Sequence, residues 1–220
     1  MDFLNWESFF HLDSFQHKAL WKEGLPVWSP LHTLKEYLNT ADLGKIEIEI
    51  PEGVYLKNRE LISIGKGTVI EPGVLIIGPC IIGKNCTIHH GAYLRAHLII
   101  GDECTIGHCS ELKHSILLDG AKVTHFVYVG DSIIGSNVNL SAGVKCANLR
   151  LDRKEIQVQA METNFTQTGL QKFGAIVGDD VQIGCNCVLN PGTLIQKRAV
   201  CYPLLTIKGT ILAGSVIKHV

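Results

Sequence analysis

The stretch ISIGKGTVIEPGVLIIGPCIIGKNCTIHHGAYLRAHLIIGDECTIGHCSEL, residues 62–112, decides the fold. Stepping by six from Ile64 meets Ile70, Ile76, Ile82, Ile88, Leu94, Ile100, Ile106 and Leu112, nine positions that are all Ile or Leu. In a chain that is 46% hydrophobic, nine apolar hits in one phase would arise by chance roughly once in a thousand. Six residues match neither the α-helical period of about 3.6 nor the coiled-coil period of about 3.5. The period belongs to short strands separated by regular turns.

Outward from this stretch the pattern bends but survives. After Leu112 the register slips by one residue to Leu117, Val123 and Val129, then slips again to Ile134 and Leu140. It resumes at Val177, Ile183, Leu189 and Ile195. Glycine often follows the aliphatic residue, as at Gly65, Gly83, Gly101 and Gly178, where a sharp turn suits a residue without a side chain. Two positions before the aliphatic residue the chain places something small, including Thr68, Ala92, Ser110, Cys80, Cys86, Cys104 and Cys187. Four of the eight cysteines thus occupy an inward slot, and a thiol there packs as a small hydrophobe. No C-x-x-C pair is present, so neither a disulfide scaffold nor a thiol metal site is expected.

The 220 residues carry a formal net charge of −1 with dispersed Lys and Arg, which gives no field for nucleic acid or an anionic membrane. The start, MDFLNWESFF, lacks the basic segment of a secretory signal, and no apolar run approaches the ~20 residues of a membrane span. A soluble, cytoplasmic protein is expected.

A six-residue repeat of this kind resembles the hexapeptide-repeat family. The resemblance implies a mainly β fold, a left-handed parallel β-helix in which three hexapeptides form one triangular coil and coils stack ~4.8 Å apart. Such a solenoid cannot bury its own ends. Residues 1–60 are expected to form a small, partly helical cap, with Ser29 as helix cap, Pro30 as first helical residue, and Leu31, Leu34 and Leu38 on one face. The β-helix domain is expected over 61–220, with a loop or hairpin inserted at 155–174 that projects from it.

Within a β-helix, spacing becomes position. Arg95 and Lys113 each follow a column residue and lie 18 residues apart, so they stack on neighbouring coils. Like charges so placed repel by up to ~1 kcal/mol, and a shared phosphate would convert repulsion into attraction. His90 and His108 stack in the same way, as solvated or subunit-contact residues. His89 and His125 lie two nominal coils apart, but FVYVGDSIIG supplies no third histidine, so no metal is expected.

A closer resemblance covers Tyr93 to Asn148, through YLRA, ELKHSILLDGAKVTHFVYVGDSIIGSNVNLSAG and AN, then TGLQKFGAIVGDDVQIGCNCVLNPG at 168–192. These segments are similar to the glucosamine-1-phosphate N-acetyltransferase domain of bifunctional enzymes that make UDP-N-acetylglucosamine, especially the archaeal-type branch. The resemblance implies an acetyl-CoA-dependent N-acetyltransferase, a trimer with sites between neighbouring β-helices, and no metal in acetyl transfer. It assigns His125 as the base that takes a proton from the substrate amine, and Arg95 and Lys113 to the phosphate. Tyr128 and Asn139 match sugar contacts, Asn148 and Lys154 further substrate contacts. The Ala142 amide matches the oxyanion donor beside the acetyl group, and Cys185 stands near acetyl-CoA where bacterial members have Ser. Leu149 replaces a frequent Tyr, and residues 1–60 are too short for a nucleotidylyltransferase domain, so a separate protein is expected to supply that step. Galactosamine-1-phosphate, a nucleotide-linked amino sugar, or a scaffold without turnover remain open alternatives.

Overall fold

Inward-facing Ile, Leu and Val at every sixth residue can be buried only if the chain turns after each short strand and closes on itself. The computed structural model, which describes residues 4–161 and 164–218, does this. Twenty-four short strands form three parallel eight-stranded sheets, and each strand pairs with the strand one coil away. The result is the left-handed hexapeptide β-helix expected, a three-faced prism. Ile76 pairs with Leu94 and Leu94 with Leu112, so the column residues stack in register and are fully buried. The small slot lies inside with them: Thr68, Ser110, Cys80, Cys86, Cys104 and Cys187 are all buried.

The three faces differ in what they carry outward. The polar face contains the strands Tyr93–Leu94, Glu111–Lys113, Tyr128–Gly130 and Lys145–Cys146. The covered face contains Leu98–Ile100, Ser115–Leu117, Ile133–Ile134, Ala175–Val177 and Thr193–Ile195. The open face contains Thr105–His108, Lys122–His125, Asn139–Leu140 and Gln182–Ile183.

Both register slips fall at one corner, between the polar and covered faces. One coil turns there through Arg95, Ala96 and His97; the next uses only Lys113 and His114, and the third Gly130 and Asp131. The left-handed residue of each corner is His97, His114 or Asp131, with φ between 46° and 64°. Leu112 therefore pairs with Val129 across 17 residues, not 18.

Contrary to the expectation of an end cap, the N-terminal segment lies along the side of the prism. On the covered face the residue before each column position is also apolar: Ile99, Ile116, Ile133, Ile176 and Leu194 point outward, yet all are buried. They pack against Phe9, Phe10, Trp21, Trp28, Leu31, Leu34 and Leu38. Burying each such side chain contributes about 1.5–3 kcal/mol, which explains why this segment lies on that face. The α-helix Ser29–Thr40 buries Leu31, Leu34 and Leu38 as expected, but it begins one residue early, with Trp28 at the N-cap and no side-chain cap. Two backbone ties fix the cover: Asp179 N–H donates to Phe9 O at 2.9 Å, and His11 N–H to Asp179 Oδ2 at 2.6 Å.

The solenoid also starts before residue 61. The strand Tyr55–Lys57 belongs to the polar face, and Ile46 bridges to Ile64. The insertion is an antiparallel hairpin, Gln157–Met161 with Asn164–Gln167. Its base folds back onto the cover instead of projecting: Ile156, Val158 and Phe173 are buried, and the Phe173 ring centroid lies 6.2 Å from that of Trp28.

Phe173→Ala is expected to cost about 3–5 kcal/mol in urea unfolding, with a change in tryptophan fluorescence. Val69→Ala, on the open face and 59% exposed, is expected to stay within about 0.5 kcal/mol. Equal losses at the two positions would contradict a cover confined to one face.

Candidate active site

The polar face owes its chemistry to alternation. Leu94, Leu112 and Val129 point in, so the residues beside them in each strand point out. Tyr93, Arg95, Glu111, Lys113 and Tyr128 thus share one outer surface. Arg95 and Lys113 do stack, for Arg95 N–H donates to Leu112 O at 2.9 Å. The structure corrects the expectation that they face each other uncompensated. Arg95 Nη1 lies 2.7 Å from Glu111 Oε1, with its guanidinium 5.8 Å from the Tyr93 ring centroid. Lys113 Nζ lies 3.1 Å from Asp131 Oδ2. Each cation has its own carboxylate.

Asp131 is the centre of this corner and was not singled out by the sequence. It is 4% exposed. His114 Nδ1 lies 3.0 Å from its Oδ1, and the Asn148 amide donates to its Oδ2. Burial pushes its carboxyl up, but His114, Asn148 and Lys113 together outweigh this and hold it below its ordinary value. The His97 ring packs edge-on against His114 at 6.1 Å, and burial, then His114, lowers its pKa. The register slip makes the cluster possible, because it stacks His97, His114 and Asp131 on three successive coils.

Tyr128 links this corner to the other side of the face. Gly130 is bare where a Cβ would fall 2.6 Å from the Tyr128 hydroxyl and 2.7 Å from Asn148 Nδ2. The phenol therefore lies across Gly130 and bonds Asn148; burial is the main reason its pKa is raised. A continuous polar strip results, running from Tyr128 through Asn148 and Asp131 to Lys113.

The edge between the open and polar faces carries a second set. His125 is exposed there, in register with His108. On the next coil Gly143 N–H donates to His125 O at 2.8 Å, placing Ala142 beside it. On the coil after that Asn186 N–H donates to Ala142 O at 2.8 Å, placing Cys185 in the same column. Among the described residues the Ala142 N–H makes no hydrogen bond. His125, Ala142 and exposed Cys185 thus stack along one edge, while Arg95, Lys113 and Asn148 lie at the opposite edge of the polar face.

Two expected residues stand apart in the single chain. Asn139 is on the open face, bonded to Ser141 Oγ at 3.2 Å, and Lys154 is exposed at the base of the insertion. His90 and His108 stack as expected, rings 5.8 Å apart and 12° from parallel, each with Nδ1 on a carbonyl one coil away. His89 lies 2.9 Å from Glu71 and is one position out of register with His125. Among the described residues no helix is long and apolar enough to cross a membrane.

A family model described as the GMPPB C-terminal domain matches residues 76–164. A bifunctional sugar-1-phosphate nucleotidylyltransferase/acetyltransferase from Sulfurisphaera tokodaii is 37% identical over 108 residues, 49% of this chain and 27% of that protein. The bifunctional protein GlmU of Methanococcus maripaludis is 32% identical over 189 residues, 86% of this chain and 45% of that protein. The chain spans less than half the length of either relative. The Francisella novicida UDP-N-acetylglucosamine acyltransferase structure aligns with 76% of this chain and 60% of that one, at 15% identity and a TM-score of 0.45, a likeness that carries no inference about chemistry.

The repeat and the three-faced coil define a hexapeptide-repeat β-helix, and the chain is similar to part of the GlmU-type proteins over 86% of its length. Within that class the chain is a homologue of the GlmU-type bifunctional proteins.

Asp131→Asn is expected to destabilise the fold at neutral pH by about 1.5–3 kcal/mol, the worth of hydrogen bonds to a charged group. Because the folded-state pKa of Asp131 is depressed, its contribution is present above the unfolded value of ~3.9 and fades as pH falls through the folded one. Urea unfolding between neutral and acid pH should therefore show a shallower acid decline in the variant.

Proposed function

We propose that the chain transfers an acetyl group from acetyl-CoA to the amine of an amino-sugar 1-phosphate, with glucosamine-1-phosphate as acceptor. One observation carries this reading: a histidine and a backbone N–H without an internal partner occupy successive coils at one edge of a face lined by Arg95, Lys113 and Tyr128.

Acyl transfer to nitrogen needs a neutral amine, whereas an amino sugar is largely an ammonium near neutral pH. His125 is the base, because an imidazole nitrogen can take up a proton and hand it on. One ammonium proton passes to solvent, the freed lone pair attacks the thioester carbonyl carbon, His125 takes a second proton from that nitrogen, and the carbonyl oxygen becomes an oxyanion. The Ala142 N–H receives that oxyanion; one fixed donor of this kind contributes about 3–4 kcal/mol to the transition state. Collapse expels the CoA thiolate, which recovers a proton from the imidazolium. No cysteine nucleophile is required, and Cys185 serves as a contact for the cofactor.

The phosphate goes to Lys113 and Arg95. Both side chains have carboxylate partners in the unliganded chain, so an incoming phosphate must share or exchange Glu111 and Asp131. Tyr128 and Asn148 contact the sugar from the strip between the two edges. Asn139 and Lys154 complete the site from a neighbouring copy, which accords with a trimer. The cover closes one face of the prism to assembly, and neighbours then meet through the polar and open faces.

Acetyl-CoA-dependent consumption of the glucosamine-1-phosphate amine is the direct test, with galactosamine-1-phosphate as the competing acceptor. His125→Ala is expected to lower kcat by at least about 100-fold, and Lys113→Ala to raise KM for the sugar phosphate about tenfold or more. Full activity in His125→Ala would remove it as the base. Light scattering is expected to give three times the 24.1 kDa chain mass; a fully active monomer would contradict the shared site.

A further inference from the structure

A cavity of about 630 Å³ opens where the cover meets the edge between the covered and open faces, away from the polar strip. Its volume is that of a small-molecule site, which runs from roughly 300 to 1,000 Å³. Acyl transfer makes no use of it. Phe15, His17 and Tyr37 line it from the cover, and the corners of successive coils form the opposite wall. Stacking keeps that wall bare: a Cβ on Gly83 would fall 2.6 Å from the Gly101 carbonyl carbon.

Four carboxylates, Asp42, Glu47, Asp102 and Asp119, line the cavity against two lysines, and the Ser14 side chain bonds Asp119. Leu117 pairs with Ile100, so Asp119 sits in register above Asp102. Asp102 Oδ1 accepts the Lys84 N–H at 2.7 Å, and Asp119 Oδ1 accepts the Asp102 N–H at 2.9 Å. Carboxylates opposed on neighbouring coils repel each other. Burial, and also the neighbouring Asp102 charge, raises the Asp119 pKa. At the rim Lys45 is taken up by Glu47 at 3.0 Å, and Lys84, also in the lining, has no carboxylate partner among the described residues.

A buried ring faces the same space. His17 is 8% exposed, and its Nδ1 lies 2.8 Å from the Tyr37 hydroxyl. Its Nε2 has no hydrogen-bond partner among the described residues. Burial lowers its pKa and so favours the neutral ring. In the tautomer that donates Nδ1–H to Tyr37, Nε2 is an acceptor on a ring that lines the cavity.

We propose that this cavity binds a small organic cation, a primary amine with an apolar body, whose ammonium lies between Asp102 and Asp119. The body packs against Phe15 and Ile81, and the His17 ring accepts an N–H. The ammonium relieves the carboxylate repulsion, and a charge-assisted hydrogen bond in such a pocket is roughly twice as strong as a neutral one.

Calorimetric titration of the full chain with cyclohexylamine tests this, with cyclohexanol as the neutral isostere and cyclohexanecarboxylate as the anion. The amine is expected to bind saturably with a dissociation constant below about 10 mM, and about tenfold or more tighter than the alcohol; the carboxylate is expected not to bind. Asp102→Asn and Asp119→Asn keep an oxygen for the backbone N–H, so the coils remain intact, which a thermal melt checks. Each is expected to weaken amine binding about fivefold or more without changing the alcohol. His125→Ala is expected to leave amine binding unaltered. No saturable amine binding, equal affinity for amine and alcohol, indifference to both Asn variants, or loss in His125→Ala would each overturn the proposal. The last result would place the amine at the acyl-transfer site instead.

Discussion

The packing of one aliphatic side chain directly on another, coil after coil, is the constraint from which the rest of the molecule follows. Once Leu94, Leu112 and Val129 stack, every residue a fixed number of positions away is carried into a column of its own. The same stacking disposes of most of the cysteines. Cys86 Sγ lies 3.1 Å from Gly101 O, Cys104 Sγ 3.1 Å from Leu118 O and Cys187 Sγ 3.0 Å from Tyr202 O, each on the neighbouring coil. Burial pushes Cys146 up to about 12 and Cys201 to about 11, far from any reactive thiolate. The thiols of Cys86, Cys104 and Cys187 are filler with a weak hydrogen bond.

The inner architecture was legible because a period reports what faces inward. Strand positions, the small slot, the helical face of Leu31, Leu34 and Leu38, and the existence of an inserted segment could all be read from spacing. The place of the N-terminal segment could not be read that way. Ile99, Ile116, Ile133, Ile176 and Leu194 each precede a column residue, so they merge with the repeat and pass for part of it. Their regular recurrence on one face was the available sign that something covers it. An alternating strand with polar residues outward, as in Glu111–Lys113, is what an uncovered face looks like.

The candidate site divides along the same line. Stacking of Arg95 on Lys113, and of His90 on His108, follows from an 18-residue interval. The acids that hold the two cations do not follow from any interval. Glu111 is the outward residue on the other side of Leu112, and Asp131 reaches Lys113 only because the corner has lost a residue. Tyr128 likewise depends on the absence of a side chain at Gly130. Spacing places backbones; the direction in which a long side chain turns is settled by the partners it finds.

The hairpin inserted between Cys146 and Ala175 also bears on how the molecule is built in time. Elsewhere a strand finds its neighbour about 17 residues away, but Ile134 must find Val177 across 43. Closing the longer loop costs about 0.8 kcal/mol more in chain entropy. Zipping of coils from the N-terminal side therefore meets its steepest step there. Ile156, Val158 and Phe173 supply local apolar contacts with the segment around Trp28, and these can bring the two halves together before the later rungs dock. The detour thus works as a splice: it divides one solenoid into two stretches and carries the adhesive that joins them.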